Sequence, residues 1–342
     1  MHDAMNPLTV KGAFDTLKAA GFPRPYVERL LPDWWDNSLF RTSAGAVQFA
    51  TLIKQRLGLD VNFESGGNLA IQTAAPNARF KHRKDTQADE LRVAAHLGMA
   101  LARLAVFACR QSYRPFPTDP AQLAALVRKR SGRKRVDFQG LLDLCWDHGI
   151  PVVFLRELPR HTKRMTGMAV NVAGRPAVVL GYNSKQTGRQ LFVLAHELAH
   201  LLCGHLRLNE VLIDEELANV SEGLAGASTG RKDDEEKQAD EFALALLRNG
   251  HAAPQRQLGR IDSAAVLASM AYSLGETLGI DPAHLILSYA KDHDDWMRAN
   301  QALSYIPDES AVDMIRAAFL ANSSQDALTN ENRDYMLQLQ AF

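Results

Sequence analysis

Apolar positions recur at helical spacing through most of this chain, and one stretch in its middle changes period. Residues 10–20 keep helical spacing up to Gly21, residues 25–31 form a short turn of helix closed by Pro32, and residues 44–57 form another helix ending at Gly58. Residues 64–76 contain Gly66-Gly67, show little periodicity and read as a linker or loop. A long helical pattern starts near Asp85, with Thr86 and Glu90 near its start, and runs to about Cys109. Pro115, Pro117 and Pro120 break it, and helices follow at 121–130 and 138–149. The period then shifts. Residues 150–155, 167–172 and 177–182 read as strands, the last two joined in a hairpin across Ala173-Gly174-Arg175-Pro176. Pro176 has no N–H to donate, so its strand is expected to start there or to lie at a sheet edge. Everything after Leu191 returns to helix.

This order predicts an α+β fold, mainly helical, with a small mixed or antiparallel sheet and helical segments at both ends. The expected organisation is a helical region over 1–80, a central domain over 85–250 and a helical region over 251–342. No internal repeat is visible.

Composition narrows the picture. With 342 residues, 46% apolar and 23% charged, the chain is of ordinary globular type, and its zero formal net charge gives no overall attraction to nucleic acid or membrane. The basic run at 128–135 reads as a solvated helix end and loop. Cys109, Cys145 and Cys203 are scattered and never spaced as C-x-x-C, which fits a reducing cytosol. Residues 1–11 lack a signal-peptide core, and no apolar run is expected to span a membrane, the longest candidate being broken by its own His, Glu and His. The expectation is a cytoplasmic protein.

The candidate chemistry sits at His196-Glu197-Leu198-Ala199-His200. Residues four apart share a helix face, so His196 and His200 can aim imidazole nitrogens at one zinc ion. Glu197, rotated by about a hundred degrees, can reach the water that zinc activates and act as the general base. By composition alone this pattern turns up in on the order of one chain in a hundred of this length, so its context decides. The flanking residues are apolar almost all round, which predicts a buried helix. Two histidines and a glutamate in such a helix need partners, and a metal supplies one.

A catalytic zinc usually has three protein ligands. A third histidine in the metzincin spacing is missing, since Gly204 and His205 are out of register with that pattern. The alternative is a glutamate from a later helix. Over 233–247, Glu236, Asp240, Ala243 and Leu247 fall on one line that faces the core, while Gln238 and Glu241 fall outside. Glu236 is the expected ligand, with Glu235 its nearest rival, and Asp240 is expected to accept the free ring N–H of a histidine ligand. The competing reading makes Glu236 one more acidic residue at a helix start.

The segments R-P-A-V-V-L-G-Y-N, L-F-V-L-A-H-E-L-A-H-L-L and E-x-x-A-D-E-F-A-L-A-L-L resemble the ImmA/IrrE metallopeptidases over about 138–247, with weaker echoes at 267–290. The resemblance implies zinc, with His196, His200 and Glu236 as ligands and Glu197 as catalytic residue. It also implies limited proteolysis of a helix-turn-helix repressor of Xre type, which derepresses stress or mobile-element genes. Residues 207–232, rich in acidic residues, Gly and Ser, look longer than in compact members. One physical expectation accompanies this: the strand at 176–182, if at an edge, can bind an extended peptide by strand addition.

Other residues carry several readings. Cys203, seven positions after His196, can be a fourth zinc ligand or a small core cysteine. Tyr182, His205 and Tyr272 are candidates to stabilise the oxyanion or contact substrate. Trp34-Trp35 reads as packing, and His161 has no assigned role. The competing class of function is a regulator that binds DNA or a partner protein and keeps zinc only as structure. Residues 1–60 lack the basic recognition helix that DNA binding needs, and Glu197 favours the enzyme. A third reading makes the terminal helical segments a sensor that restrains the peptidase.

Overall fold

A computed structural model describes residues 9–63, 69–71, 77–81, 88–207, 210–214, 231–307, 309–324 and 326–342. The first helices are α1 (Val10–Ala19), α2 (Arg24–Leu30) and α3 (Ser43–Leu57), followed by strands β1 (Val61–Phe63), β2 (Leu69–Ile71) and β3 (Asn77–Lys81). Then come α4 (Ala88–Ala108), α5 (Pro120–Ser131), α6 (Phe138–Asp147), β4 (Val152–Phe154), β5 (Gly167–Val172) and β6 (Arg175–Leu180). The motif helix is α7 (Thr187–Leu202), followed by β7 (Glu210–Asp214) and α8 (Arg231–Leu247). Helices α9 (Ala264–Leu278), α10 (Pro282–His293), α11 (Trp296–Leu303), α12 (Ala311–Asn322) and α13 (Asn330–Gln340) complete the chain. The mainly helical α+β class expected from the sequence is the one observed.

The central sheet is mixed, in the order β3-β7-β5-β6-β4, with the two outer pairs parallel and the inner pairs antiparallel. Helices α4 and α7 cover opposite faces of it. A Cβ on Gly98 of α4 would lie 2.5 Å from Met168, whereas one on Gly167 would meet Glu197 of α7, and neighbouring strand residues point to opposite faces. One hydrophobic core joins residues from Ala13 to Leu339, and a second, from Leu258 to Leu303, is built by α9, α10 and α11.

Local chemistry explains several boundaries. The β5–β6 turn uses two residues, Ala173 and Gly174, both at positive φ (49° and 84°), the backbone that matches hairpin twist. Asn171 Oδ1 accepts from the Gly174 N–H at 2.9 Å. The strand therefore restarts at Arg175, earlier than the four-residue connection expected.

Four expectations are corrected. Strand β6 is not an edge: β5 and β4 flank it. Pro176 is tolerated because the Val178 N–H, two residues on and so on the same side, donates to the Pro151 carbonyl, whereas β4 pairs only from Val152. Its missing N–H thus falls where the neighbouring strand has not begun. Peptide addition at residues 176–182 therefore loses its basis. Second, β2 lies in the stretch read as loop. Third, β7 interrupts what was read as uninterrupted helix after Leu191. Fourth, Leu91–Ala108 of α4 is long and apolar enough to cross a membrane by length and composition. It lies mostly buried against the sheet, where a core helix of that composition belongs.

The aromatic pair near the N-terminus is packing. Trp35 stacks near Phe40 and Phe49 at 5.4 and 5.3 Å, and the Trp34 Nε1–H donates to Glu331 of α13 at 2.7 Å.

His284 of α10 is wholly buried, and neither ring nitrogen has a hydrogen-bond partner among the described residues. Burial first, and the nearby Arg248 charge second, depress its pKa to about 3. An unfolded histidine titrates near 6.5, so between those values only the unfolded chain takes up the proton. His284 therefore makes stability fall as pH drops from about 6.5 towards 3. Thermal melts across that range should show a shallower loss for His284→Leu than for wild type. Parallel profiles would show that His284 does not drive the acid sensitivity.

Candidate metal centre

Helix α7 carries apolar residues on nearly every face, and the chain buries it between the sheet and helices α6, α8 and α10. His196, Glu197 and His200 are consequently buried to 0% exposure. The helix ends in a Schellman-type cap: Gly204 takes φ 74°, and the His205 N–H donates to the His200 carbonyl at 3.1 Å. That cap folds His205 back onto His200.

The two motif histidines face each other through Nε2, 3.0 Å apart. Helix α8 packs beside α7 and brings Glu236 to them, with carboxylate oxygens 3.3 Å from His196 Nε2 and 3.5 Å from His200 Nε2. His196, His200 and Glu236 form a group able to hold a metal ion, their ligand atoms all within 4.8 Å of one another. Glu236 joins this group and Glu235 does not. Glu236 keeps 31% of its side chain exposed while the histidines are closed off.

The far side of each histidine is also set. His196 Nδ1 lies 2.8 Å from Asp240 Oδ1, the contact expected of Asp240. His200 Nδ1 lies 2.8 Å from His205 Nδ1, and His205 Nε2 lies 3.0 Å from Gln238 Oε1. The Asp240 carboxylate only accepts, so His196 donates from Nδ1 and turns its Nε2 to the shared point; His200 does the same where its Nδ1 donates to His205. Two Nε2 lone pairs at 3.0 Å beside a carboxylate make a set of donors suited to a shared cation. Zinc–nitrogen bonds of about 2.05 Å at a tetrahedral angle set ligand atoms about 3.3 Å apart, and the observed separations bracket that value. The donor set fits zinc.

Glu197 sits against the backbone of β5. A Cβ on Gly167 would approach its Oε1 to 2.1 Å, so any side chain there would displace the carboxylate.

The remaining candidates fall elsewhere. His205, read as an oxyanion or substrate contact, stands behind His200 and contacts its Nδ1. Gln238, read as outward, is exposed at its base yet reaches His205. The Tyr182 hydroxyl lies 3.4 Å from Arg189 Nη1, a residue two helical turns, about 10 Å, before His196. Tyr272 lines a cavity with Thr187, Gly188 and Arg189 at the start of α7. Cys203 caps α7, half-buried, outside the ligand group, and burial pushes its thiol pKa up. His161 takes a left-handed backbone (φ 64°) in the exposed loop before β5.

Asp240→Ala would leave the His196 Nδ1–H without this acceptor, and a loss of roughly 10- to 100-fold in zinc affinity is expected. Asp240→Asn, which keeps an acceptor oxygen, should lose less. Chelator competition on both proteins measures the difference, and equal affinities for wild type and Asp240→Ala would rule the role out.

Two packed helices that present His, His and Glu to one point, with a second glutamate beside them, have the layout of a metallopeptidase centre. Residues 145–269 match the Peptidase_M78 family model, described as the IrrE N-terminal-like domain. Over this segment, from the end of α6 into the first half of α9, the chain is similar to that family of metallopeptidases, as the sequence resemblance implies. No curated protein matches the chain.

Proposed function

We propose that this chain is a zinc-dependent endopeptidase of the cytoplasm that makes a limited cut in a regulatory protein. The proposed substrate is a helix-turn-helix repressor of Xre type, whose cleavage derepresses stress or mobile-element genes. The observation that carries the peptidase reading is the convergence of His196, His200 and Glu236, with Glu197 one residue along the same helix. The choice of repressor rests on family resemblance.

His196, His200 and Glu236 would hold the zinc, which when bound would supply Lewis acidity and lower the pKa of water to about 7. Glu197 accepts the proton of the attacking water at its carboxylate and passes it to the leaving amine. Gly167 fixes where that carboxylate lies. Asp240 and His205 hold the histidine rings, so the ligands need no rearrangement as the reaction proceeds.

The rival reading, a DNA-binding regulator with structural zinc, has one feature in its favour. Helix α9, the turn at Gly279, Ile280 and Asp281, and α10 follow one another as in a helix-turn-helix. A recognition helix must offer side chains to a groove, yet residues 282–290 of α10 are all buried. The basic run at 128–135 is largely engaged within the chain: Arg128 with Asn249, Arg130 with Asp147, Arg133 with Asp137, Arg135 with Glu276. Both observations count against it.

Incubation of the purified protein with the repressor encoded beside its gene tests the proposal. One discrete cut is expected, lost on chelation and restored by zinc. An intact repressor after incubation with zinc-loaded protein would remove that substrate, and a ladder of many fragments would contradict limited proteolysis.

A further inference from the structure

We propose that His205 and Gln238 form a proton-ordering relay that fixes His200 as a metal ligand, so that the side chain at position 238 helps to set metal affinity without touching the metal. The inference rests on the zinc reading of the site and goes beyond it, because neither residue belongs to the ligand group.

The relay follows from donor and acceptor chemistry. Gln238 presents its amide oxygen, which only accepts, 3.0 Å from His205 Nε2. The proton of a neutral His205 is therefore on Nε2, and its Nδ1 is a lone pair. That lone pair faces His200 Nδ1 at 2.8 Å, so His200 donates there. Its own lone pair is left on Nε2, the atom that faces His196 and Glu236. Reversing the polarity at Gln238 reverses every step: a donor at 238 makes His205 Nε2 the acceptor, turns its Nδ1 into a donor, and puts the His200 proton on Nε2. A proton on Nε2 excludes a metal bond there.

The backbone supports the same arrangement. The cap at Gly204 ties the His205 N–H to the His200 carbonyl at 3.1 Å, so the two rings are held together by main chain as well as by side chain. Such caps often bring apolar residues together at these two positions; here they bring two imidazoles. His205 is buried, whereas Gln238 lies at the exposed outer side of α8, where substitutions leave the core untouched. His205 and Gln238 are positioning residues.

The test is zinc affinity of the full-length protein, read by competition with a chromogenic chelator. His205→Asn keeps an acceptor oxygen in the place of Nδ1, and His205→Leu removes it. Gln238→Glu can only accept, and Gln238→Lys can only donate. His205→Leu and Gln238→Lys are expected to lose roughly 10- to 100-fold in zinc affinity. His205→Asn and Gln238→Glu are expected to stay within a few-fold of wild type. A role in packing alone gives a different pattern, because Asn and Leu at 205 would then weaken binding alike and the sign of the group at 238 would not matter. Either of those results overturns the relay. If wild type itself binds no zinc, the metal centre fails first; if wild type binds zinc and Gln238→Lys binds it equally, the relay alone fails.

Discussion

Replacing Glu197 by glutamine is expected to leave the metal in place and to slow cleavage by roughly 10²- to 10⁴-fold, the range that a positioned general base contributes. Glutamine has the same shape, but its amide does not take up a proton near neutral pH. Glu197 lies outside the group formed by His196, His200 and Glu236, so metal content should match wild type. Glu236→Ala gives the opposite pattern, with metal lost and activity lost with it. Metal analysis and single-turnover cleavage of the same preparations separate the two. If Glu197→Gln cuts at the wild-type rate, another residue moves the proton. If it loses the metal, Glu197 is a ligand and its role here is wrong.

Gly167→Ala should come close to this in effect, though residue 167 has no functional group. Its new Cβ would lie 2.1 Å from Glu197 Oε1, 2.7 Å from Cδ and 2.8 Å from Cγ, contacts that real structures do not tolerate. Glu197 is wholly buried, so its carboxylate must shift within a packed site. Displacement of a catalytic group by about 1 Å costs on the order of 100-fold. Zinc affinity should change little, because the clash does not involve His196, His200 or Glu236. Adding Gly167→Ala to Glu197→Gln should cause little further loss, since both changes act through one carboxylate. Additive losses in the double variant would mean that glycine at 167 matters for another reason, such as the pairing of β5 with β6 and β7.

Much of the candidate metal centre was legible because it is built on helix periodicity. His196 and His200 are four apart on α7, Glu236 and Asp240 four apart on α8, and each pair shares a face whatever the rest of the chain does. Glu236 over Glu235 followed from the same rule. The hairpin of β5 and β6 was legible for a similar reason, since its partners adjoin in sequence. The rest of the sheet was not. Strand β3 pairs with β7 across more than a hundred residues, Asn77 opposite Glu210; N-A-R-F-K does alternate polar and apolar residues, so the strand itself left a short signal, but nothing local names so distant a partner. Once those two strands join the far side and β4 joins the near side, β6 becomes interior, which local reading of Pro176 had no means to show.

The supporting residues divide along the same line. Gly167 lies thirty positions before Glu197, and no local pattern links them. His205 is different: glycine at 204 after a helix of this length signals a left-handed cap, and that cap places residue 205 against residue 200. The signal is present in the sequence, and it places His205 behind His200 instead of at the front of the site. Gln238 was read as outward because its position on α8 is outward; a side chain of that length still reaches His205.

On the reading proposed above, His196, His200 and Glu236 share one zinc ion with a coordination position left open. Anomalous diffraction at the zinc edge from crystals of the full chain tests it most directly. The expected result is a single strong peak about 2.0 to 2.2 Å from His196 Nε2, His200 Nε2 and a Glu236 oxygen, with no fourth protein ligand. A peak ligated by Cys203 as well would mean a closed, structural site, and no peak at this point in crystals grown with zinc would mean that these residues hold no zinc.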